Sequence, residues 1–115
     1  MTRKMIYTNT PDVPGREIKE ILGVITGSVV QSKHVGRDIM AGFKTIVGGE
    51  INSYTELLTE ARQIAIGRLV QEAIKLGADA VVSLRFTTSS IMGNAAEVLA
   101  YGTAVTLKDP DGKVE

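Results

Sequence analysis

Few side chains in this sequence have the chemistry to form a catalytic or metal-binding site. The chain has no cysteine and one histidine, His34, so thiolate ligands, disulfide bonds and cysteine nucleophiles are excluded. His34 and Asp38 stand four residues apart, a spacing that places an imidazole and a carboxylate on one side of a helix start. Two ligands fall short of the four that a closed tetrahedral site needs. We therefore treat His34, Asp38 and Glu50 only as candidate metal ligands, with a solvated loop residue as the alternative for His34.

The pair Gly48-Gly49 precedes Glu50 where a long helix is predicted to begin. Free N–H groups at a helix start favour anions, but no Gly-Lys-Ser/Thr sequence follows and Glu50 would repel a phosphate. We therefore interpret the two glycines as the end of a preceding short helix. No residues are spaced like a known catalytic constellation, so we predict no catalytic residue and expect that the chain is not an enzyme.

Arg62 and Arg85 are the two charged residues that stand in apolar surroundings. Arg62 lies at the border of two apolar rows of a predicted helix, and Arg85 is central in a predicted strand. A buried arginine must be paired, and Glu97, across the presumed hairpin, is the natural partner of Arg85. Glu50 or Asp38 would serve Arg62. We interpret these pairs as salt bridges at a subunit interface; the alternative is an anion site in a pocket between subunits.

The elements that position these residues begin with two strands and a short helix. Residues 4–10 form a short strand that a proline-containing turn ends. Residues 20–32 show helical spacing but are rich in β-branched residues, and Gly23 and Gly27 would each cost about 1 kcal/mol inside a helix. We therefore predict a long strand there, in which the glycines mark a bulge or bend. Residues 37–47 are predicted to form a short helix.

The long helix has the clearest pattern in the sequence. A capping box with Ser53 as N-cap and Glu56 at the third position starts the helix, and Gly77 ends it after about Leu76. Its apolar residues form two rows, separated by roughly 100° or more around the helix axis. The row predicted to face the sheet comprises Leu58, Ala61, Ala65, Leu69 and Leu76, flanked by Leu57 and Ile64. The second row comprises Ile66, Val70 and Ile74, and it needs a further partner.

Two strands, at residues 79–89 and 97–107, complete the predicted sheet. Antiparallel sheets usually have one polar face that is exposed to water. The last strand is apolar on both faces, so we expect both faces of this sheet to be covered. Alternation places Ala80, Val82, Leu84 and Phe86 on one face of the first of these strands. In the last strand it places Val98, Ala100 and Ala104 opposite Leu99, Tyr101, Val105 and Leu107.

Length and composition limit the chain to one small domain. It has 115 residues, and lysine plus arginine balance aspartate plus glutamate at 13 each, so it has no general attraction for nucleic acid or an anionic membrane. We predict a single domain over residues 1–115, with its core at about 5–107 and a solvated tail at 108–115. No targeting segment and no run of about 18 apolar residues is present, so we expect a cytoplasmic protein.

The order strand, strand, helix, helix, strand, strand predicts an α+β fold. The second helix row and the two-sided last strand both need apolar partners. Either the first helix and the N-terminal strand fill these places, or further copies of the chain do. We favour further copies and predict a homo-oligomer with six interface residues: Ile66, Val70, Ile74, Arg62, Arg85 and Glu97.

Four segments of the chain together indicate one protein family, although none of them does so alone. They are Leu22-Gly23-Val24-Ile25-Thr26-Gly27, Ile46-Val47-Gly48-Gly49-Glu50, Leu76-Gly77-Ala78-Asp79-Ala80-Val81-Val82 and Gly102-Thr103-Ala104-Val105. In this order they resemble the YbjQ-like family of small uncharacterised bacterial and archaeal proteins. The resemblance covers residues 5–107.

The resemblance implies a dodecin-like β-α-β-β unit with extra N-terminal strands, assembled as a homopentameric ring. It implies no established activity and no known cofactor, so we expect a binding or assembly role, with a ligand pocket between subunits as the place to look. An enzyme with a site at the subunit junction is a further alternative. The family is also labelled heavy-metal-binding, but soft metals prefer sulfur and then imidazole. Only a ring that brought five copies of His34 to its axis would supply enough imidazole.

Overall fold

The computed structural model describes residues 4–32, 49–91 and 95–109. It contains four strands and one long helix, named here β1 (Ile6–Tyr7), β2 (Ile18–Ser32), α1 (Gly49–Lys75), β3 (Ala80–Ile91) and β4 (Ala95–Leu107). The fold is therefore α+β, as the sequence predicts. β1 is shorter than the predicted strand at residues 4–10, and the helix predicted at residues 37–47 lies outside the described residues.

The four strands form one mixed sheet in the order β1-β3-β4-β2. β4 runs antiparallel to both of its neighbours, and β1 pairs in parallel with the start of β3. β2 therefore runs parallel to β3, with β4 between them. This arrangement places β2 at one end of the sheet, and it leaves β1 beside only the first residues of β3 at the other end.

α1 packs on one face of the sheet, called the inner face here, and lies mainly over β2 and β4. A Cβ atom at Gly27 of β2 would collide with the backbone of Ala65 and Leu69, so only glycine lets the helix come this close. The buried stripe of the helix confirms the predicted first row in part and adds Ala73 to it. The inner core comprises Ala61, Ala65, Leu69 and Ala73 with Ile25, Val29, Val81, Leu84, Val98, Ala100 and Ala104.

The start of α1 corrects the prediction of a capping box. The described helix begins at Gly49, so Ser53 lies inside it and is not its N-cap. The helix that Gly48-Gly49 is predicted to end lies outside the described residues. Glycine is well tolerated at a helix start, and each residue added to an existing helix gains a backbone hydrogen bond, which outweighs the cap at Ser53. No helix in the described part of the chain is long and apolar enough to cross a membrane.

The end of α1 confirms Gly77 as the helix stop. Gly77 has a φ of +76°, and its N–H donates to the carbonyl of Ile74, while the N–H of Ala78 donates to the carbonyl of Ala73. This pair of bonds is a Schellman motif, which satisfies carbonyls that have no partner within the helix. Leu76 lies in this turn and is half exposed, so the prediction that it continues the buried row is wrong.

Two bulges change which side chains face the helix. The one at Gly23, which has a φ of +137°, confirms the bulge that the sequence predicts in β2. The other was not predicted: Ser83 of β3 has a φ of +54°, and the pairing with β4 shifts between Val82 and Arg85. This extra residue rotates the rest of β3 by one position. Leu84 therefore joins Val81 on the inner face and Phe86 follows it, so the predicted place of both beside Ala80 and Val82 is wrong.

The opposite face of the sheet, called the outer face here, is covered at one end only. Residues 8–17 cross this end, and Val13 packs with Ile18 and the buried side chains of Ala80, Val82, Val105 and Leu107. The Arg16 guanidinium holds this segment in place by donating to the carbonyl of Lys108 at 2.8 and 3.0 Å. The described residues of one chain leave the remainder of the outer face uncovered, so the prediction that both faces are covered stays a prediction there.

Candidate interaction surfaces

The uncovered part of the outer face carries an apolar stripe along β2. Ile21 is 69% exposed, Val24 75% and Val30 56%, and Tyr101 of β4 is exposed beside them. The register places Tyr101 opposite Thr26, so its ring lies next to the stripe. We call Ile21, Val24, Val30 and Tyr101 the outer stripe. Exposed β-branched residues in a row along one strand are typical of a surface that a partner covers.

The bulge at Gly23 puts Ile21 on the same face as Val24 and Val30. Beyond it, Ile25 and Val29 point to the inner face and are buried, while Val24 and Val30 point outward. Two apolar faces were predicted for β4 alone, although β2 carries the same pattern. Because residues 21–30 contain apolar side chains at both odd and even positions, the signal was present in the sequence.

The second row of α1 lies on the flank that faces away from β2. Arg68 donates a hydrogen bond to the carbonyl of Ser28 in β2, which fixes the β2 side of the helix. Residues two apart lie about 200° apart around a helix, so Ile66 and Val70 project to the β3 side. Both are half-buried, and Ile74, further round towards solvent, is 54% exposed. The described residues therefore leave this row incompletely covered.

The inner face of β3 continues this apolar surface. Phe86 pairs with the inner-face residue Ala100, yet it is 40% exposed because α1 lies over β2 and β4 instead of β3. The flank of α1 and the inner face of β3 therefore form a step, with Ile66 and Val70 on its wall and Phe86 on its floor. We call these three residues the inner step.

Arg85 and Glu97 do not form the predicted pair, whereas the predicted partners of Arg62 (Asp38 and the side chain of Glu50) lie outside the described residues. Arg85 lies opposite Tyr101, whereas Glu97 lies opposite Ser89, four residues further along β3. At about 3.3 Å per residue, this offset is too large for an Arg85–Glu97 salt bridge. The Arg85 guanidinium instead donates to the carbonyl of Asn9 at 3.5 Å. Arg62 is exposed, and its guanidinium donates to the hydroxyl of Thr59 at 3.4 Å, so neither arginine is buried.

The structure does not describe the side chains of the three candidate metal ligands. His34 and Asp38 lie outside the described residues, and Glu50 is placed in the first turn of α1 by its backbone only. Within residues 4–32, 49–91 and 95–109, no group of three or more histidine, cysteine, aspartate or glutamate residues is positioned to hold a metal ion.

Comparisons with known proteins match nearly the whole chain. The family model YbjQ_1, described as "Putative heavy-metal-binding", matches residues 5–108. A UPF0145 protein of Vibrio campbellii is 67% identical over 103 residues, which cover 90% of this chain and 99% of the relative. A UPF0145 protein of Thermotoga maritima is 64% identical over 104 residues, which cover 90% of this chain and 98% of the relative.

One solved structure supports the fold. It is the crystal structure of a protein with unknown function from Pediococcus pentosaceus, which belongs to the DUF74 family. It matches with a TM-score of 0.50 and 22% sequence identity, and the match covers 90% of this chain and 98% of that chain. At this level of identity the likeness concerns the fold alone.

Proposed function

This chain belongs to the YbjQ family, and we propose that it is a homo-oligomer that acts by binding or assembly and catalyses no reaction. The observation that carries this proposal is the outer stripe. Three of its residues expose more than half of their side-chain surface, although each would gain about 1.5–3 kcal/mol from full burial. Further copies of the chain would supply that burial.

The extended form of the chain supports the same proposal. Its radius of gyration is 17.9 Å, against roughly 13 Å for a compact domain of this length. The described residues form an elongated sheet with one helix and leave apolar surface uncovered, which other chains would cover. The inner step and the outer stripe lie on opposite faces of the sheet, so one chain offers two surfaces to its neighbours.

We also propose the finer architecture that the resemblance implies. The order β2, α1, β3, β4 is the β-α-β-β order of a dodecin-like unit, with β1 as an additional strand. Five such units would form a closed ring, with the predicted interface residues Ile66, Val70, Ile74, Arg62, Arg85 and Glu97 near the contacts between them. In this proposal the protein is cytoplasmic, its partner is itself, and it binds neither nucleic acid nor membranes.

Native mass spectrometry of the untagged protein from its source cells tests the proposal, because it reports the number of subunits and any bound molecule together. We expect a multiple of 12.3 kDa, with five subunits for the ring. A stoichiometric small molecule in the complex would identify what the assembly binds. A 12.3 kDa monomer would contradict the proposal, and turnover of a bound substrate would contradict the absence of catalysis.

The heavy-metal description of the family makes a competing prediction that His34 can test. The chain has no thiolate, and the described residues form no metal cluster, so we expect the purified protein to hold less than one transition-metal ion per chain. We expect elemental analysis of His34→Ala to give the same metal content as the wild type. A stoichiometric metal in the wild type that is lost in His34→Ala would favour the metal-binding function instead.

A further inference from the structure

The sheet has two open edges among the described residues, one at each end. β2 has β4 as its one neighbour along its whole length. At the other end, Thr8 and Thr10 bond to the backbone of Val81, Ser83 and Leu84 of β3. β3 continues to Ile91, and beyond Leu84 no described strand lies on the side of β3 that faces away from β4. Each open edge presents a row of backbone N–H and C=O groups that can pair with another strand.

Beyond the bulges at Gly23 and Ser83, the two open edges carry few of the features that prevent pairing. Proteins usually protect an edge with charged residues, proline or a very short strand. β2 is 15 residues long, and it contains no proline and no charged residue from Ile21 to Ser32. The open part of β3 likewise has no charge and no proline from Phe86 to Ile91. One carbonyl of β2, that of Ser28, already accepts a hydrogen bond from Arg68. The remaining length of β2 is suited to accept a strand.

We propose that β2 of one copy adds to the open part of β3, residues 85–91, in the next copy. This inference rests on the proposed homo-oligomer and specifies how its subunits join. The two edges are different surfaces, so the contact is head-to-tail and can close into a ring. Because β2 and β3 run parallel within one chain, a ring with a continuous sheet pairs them in parallel. That alignment places the uncharged run of β2 against the uncharged run of β3.

The inner step gives this arrangement a second contact. In the added copy, α1 lies over β2, with its Arg68 side towards the strand edge. When β2 of the added copy pairs with β3 of the first copy, the helix of the added copy lies above Phe86 of the first copy. It then faces Ile66 and Val70 on the helix of the first copy. The same addition therefore satisfies the backbone of both edges and covers the apolar surface that the first copy leaves in water. A two-fold pairing of β2 with β2 would leave the inner step exposed.

Engineered disulfide bonds test the pairing with no background, because the chain has no cysteine. Val24, Thr26 and Ser28 of β2 share the outer face with Thr87 and Ser89 of β3, so six double-cysteine variants sample the register. Within one chain β4 separates β2 from β3, so their Cα atoms are about 9.6 Å apart or more, beyond the reach of a disulfide. Any disulfide in these variants must therefore join two chains.

Head-to-tail pairing predicts a ladder of covalent multiples of 12.3 kDa on non-reducing gels for at least one double variant. The single variants should remain uncrosslinked, and so should Thr26→Cys combined with Glu60→Cys, which lies on the exposed surface of α1. An equimolar mixture of a β2 single variant and a β3 single variant, refolded together, should give covalent dimers. Reduction should return each sample to the monomer band.

Two results would overturn the proposal while leaving the homo-oligomer intact. One is a set of covalent dimers from a β2 single variant alone, which would indicate two-fold pairing of β2 with itself. The other is the absence of disulfides from all six double variants while native mass spectrometry still shows an oligomer. Monomeric wild-type protein would overturn both this proposal and the proposed function.

Discussion

At the scale of single residues, Gly27 determines how closely α1 approaches the sheet. Its missing side chain leaves room for the backbone of Ala65 and Leu69, and the alanines of the helix stripe keep the rest of that contact short. Backbone atoms cannot rotate away as a side chain can. A single added methyl group must therefore move the whole helix.

Replacing Gly27 by alanine is expected to destabilise the protein by about 1–3 kcal/mol, as is usual for overpacking a filled core. The melting temperature should fall by roughly 4–8 °C for each kcal/mol lost. Thermal unfolding followed by circular dichroism measures this change.

Gly67→Ala is the matched control, because the same methyl group at Gly67 meets no atom within 4 Å. Gly67 lies within α1 on its exposed side, so alanine should stabilise the helix by roughly 0.5–1 kcal/mol. Opposite signs for the two variants support the close contact at Gly27. Equal effects at the two glycines would show that the helix does not lie on β2 as described.

The residue scale also shows where sequence reasoning fails. Arg85 and Glu97 stand out in the sequence as charged residues within the apolar strands β3 and β4. Whether they pair depends on the register of the hairpin. Changing that register by a few residues alters every cross-strand pair, and spacing along the chain does not fix it. Serine is a residue type that suits an N-cap, yet the described helix begins four residues before Ser53.

At the scale of elements, periodicity predicted α1 and β3, whereas β2 was predicted from its β-branched residues against a helical spacing. The bulge at Gly23 was also predictable, since glycine inside a β-branched run is typical of one. The bulge at Ser83 was not, because serine rarely adopts a positive φ and the sequence around it alternates regularly. Regular alternation therefore predicted the faces of β4 correctly. In β3 the bulge breaks the alternation, so Leu84 was placed on the wrong face.

The second row of α1 gives a prediction at this scale. Val70→Asp would place a carboxylate between Ile66 and Ile74, on the flank that the account assigns to a neighbouring copy. Burying an unpaired charge there is costly, so we expect the oligomer to dissociate to 12.3 kDa monomers or the protein to become insoluble. Size-exclusion chromatography with light scattering measures the mass.

Gln71→Asp serves as the control, because Gln71 is the next residue and is exposed away from the row. It introduces the same charge at nearly the same height on the helix and should leave the mass of the assembly unchanged. A well-folded Val70→Asp variant with the wild-type assembly mass would remove the second row from the interface.

At the scale of the whole molecule, the described chain is an open sheet with a helix on one face. It leaves uncovered the outer stripe, the inner step and two strand edges. The sequence predicted that the second helix row and the last strand need apolar partners. The described chain itself buries Val98, Val105 and Leu107 of that strand, whereas Ile74 of the helix row stays half exposed. Which β2 residues take part was not predicted, since the outer stripe depends on how the bulge at Gly23 divides that strand between two faces.

The proposed homo-oligomer is best tested by the mass of the untagged wild-type protein in solution, measured by sedimentation equilibrium over a series of concentrations. We expect one species of several times 12.3 kDa, five times for the ring, that persists on dilution. A species of 12.3 kDa at every concentration would contradict it, because the exposed apolar surfaces and the two open edges would then belong to a stable monomer.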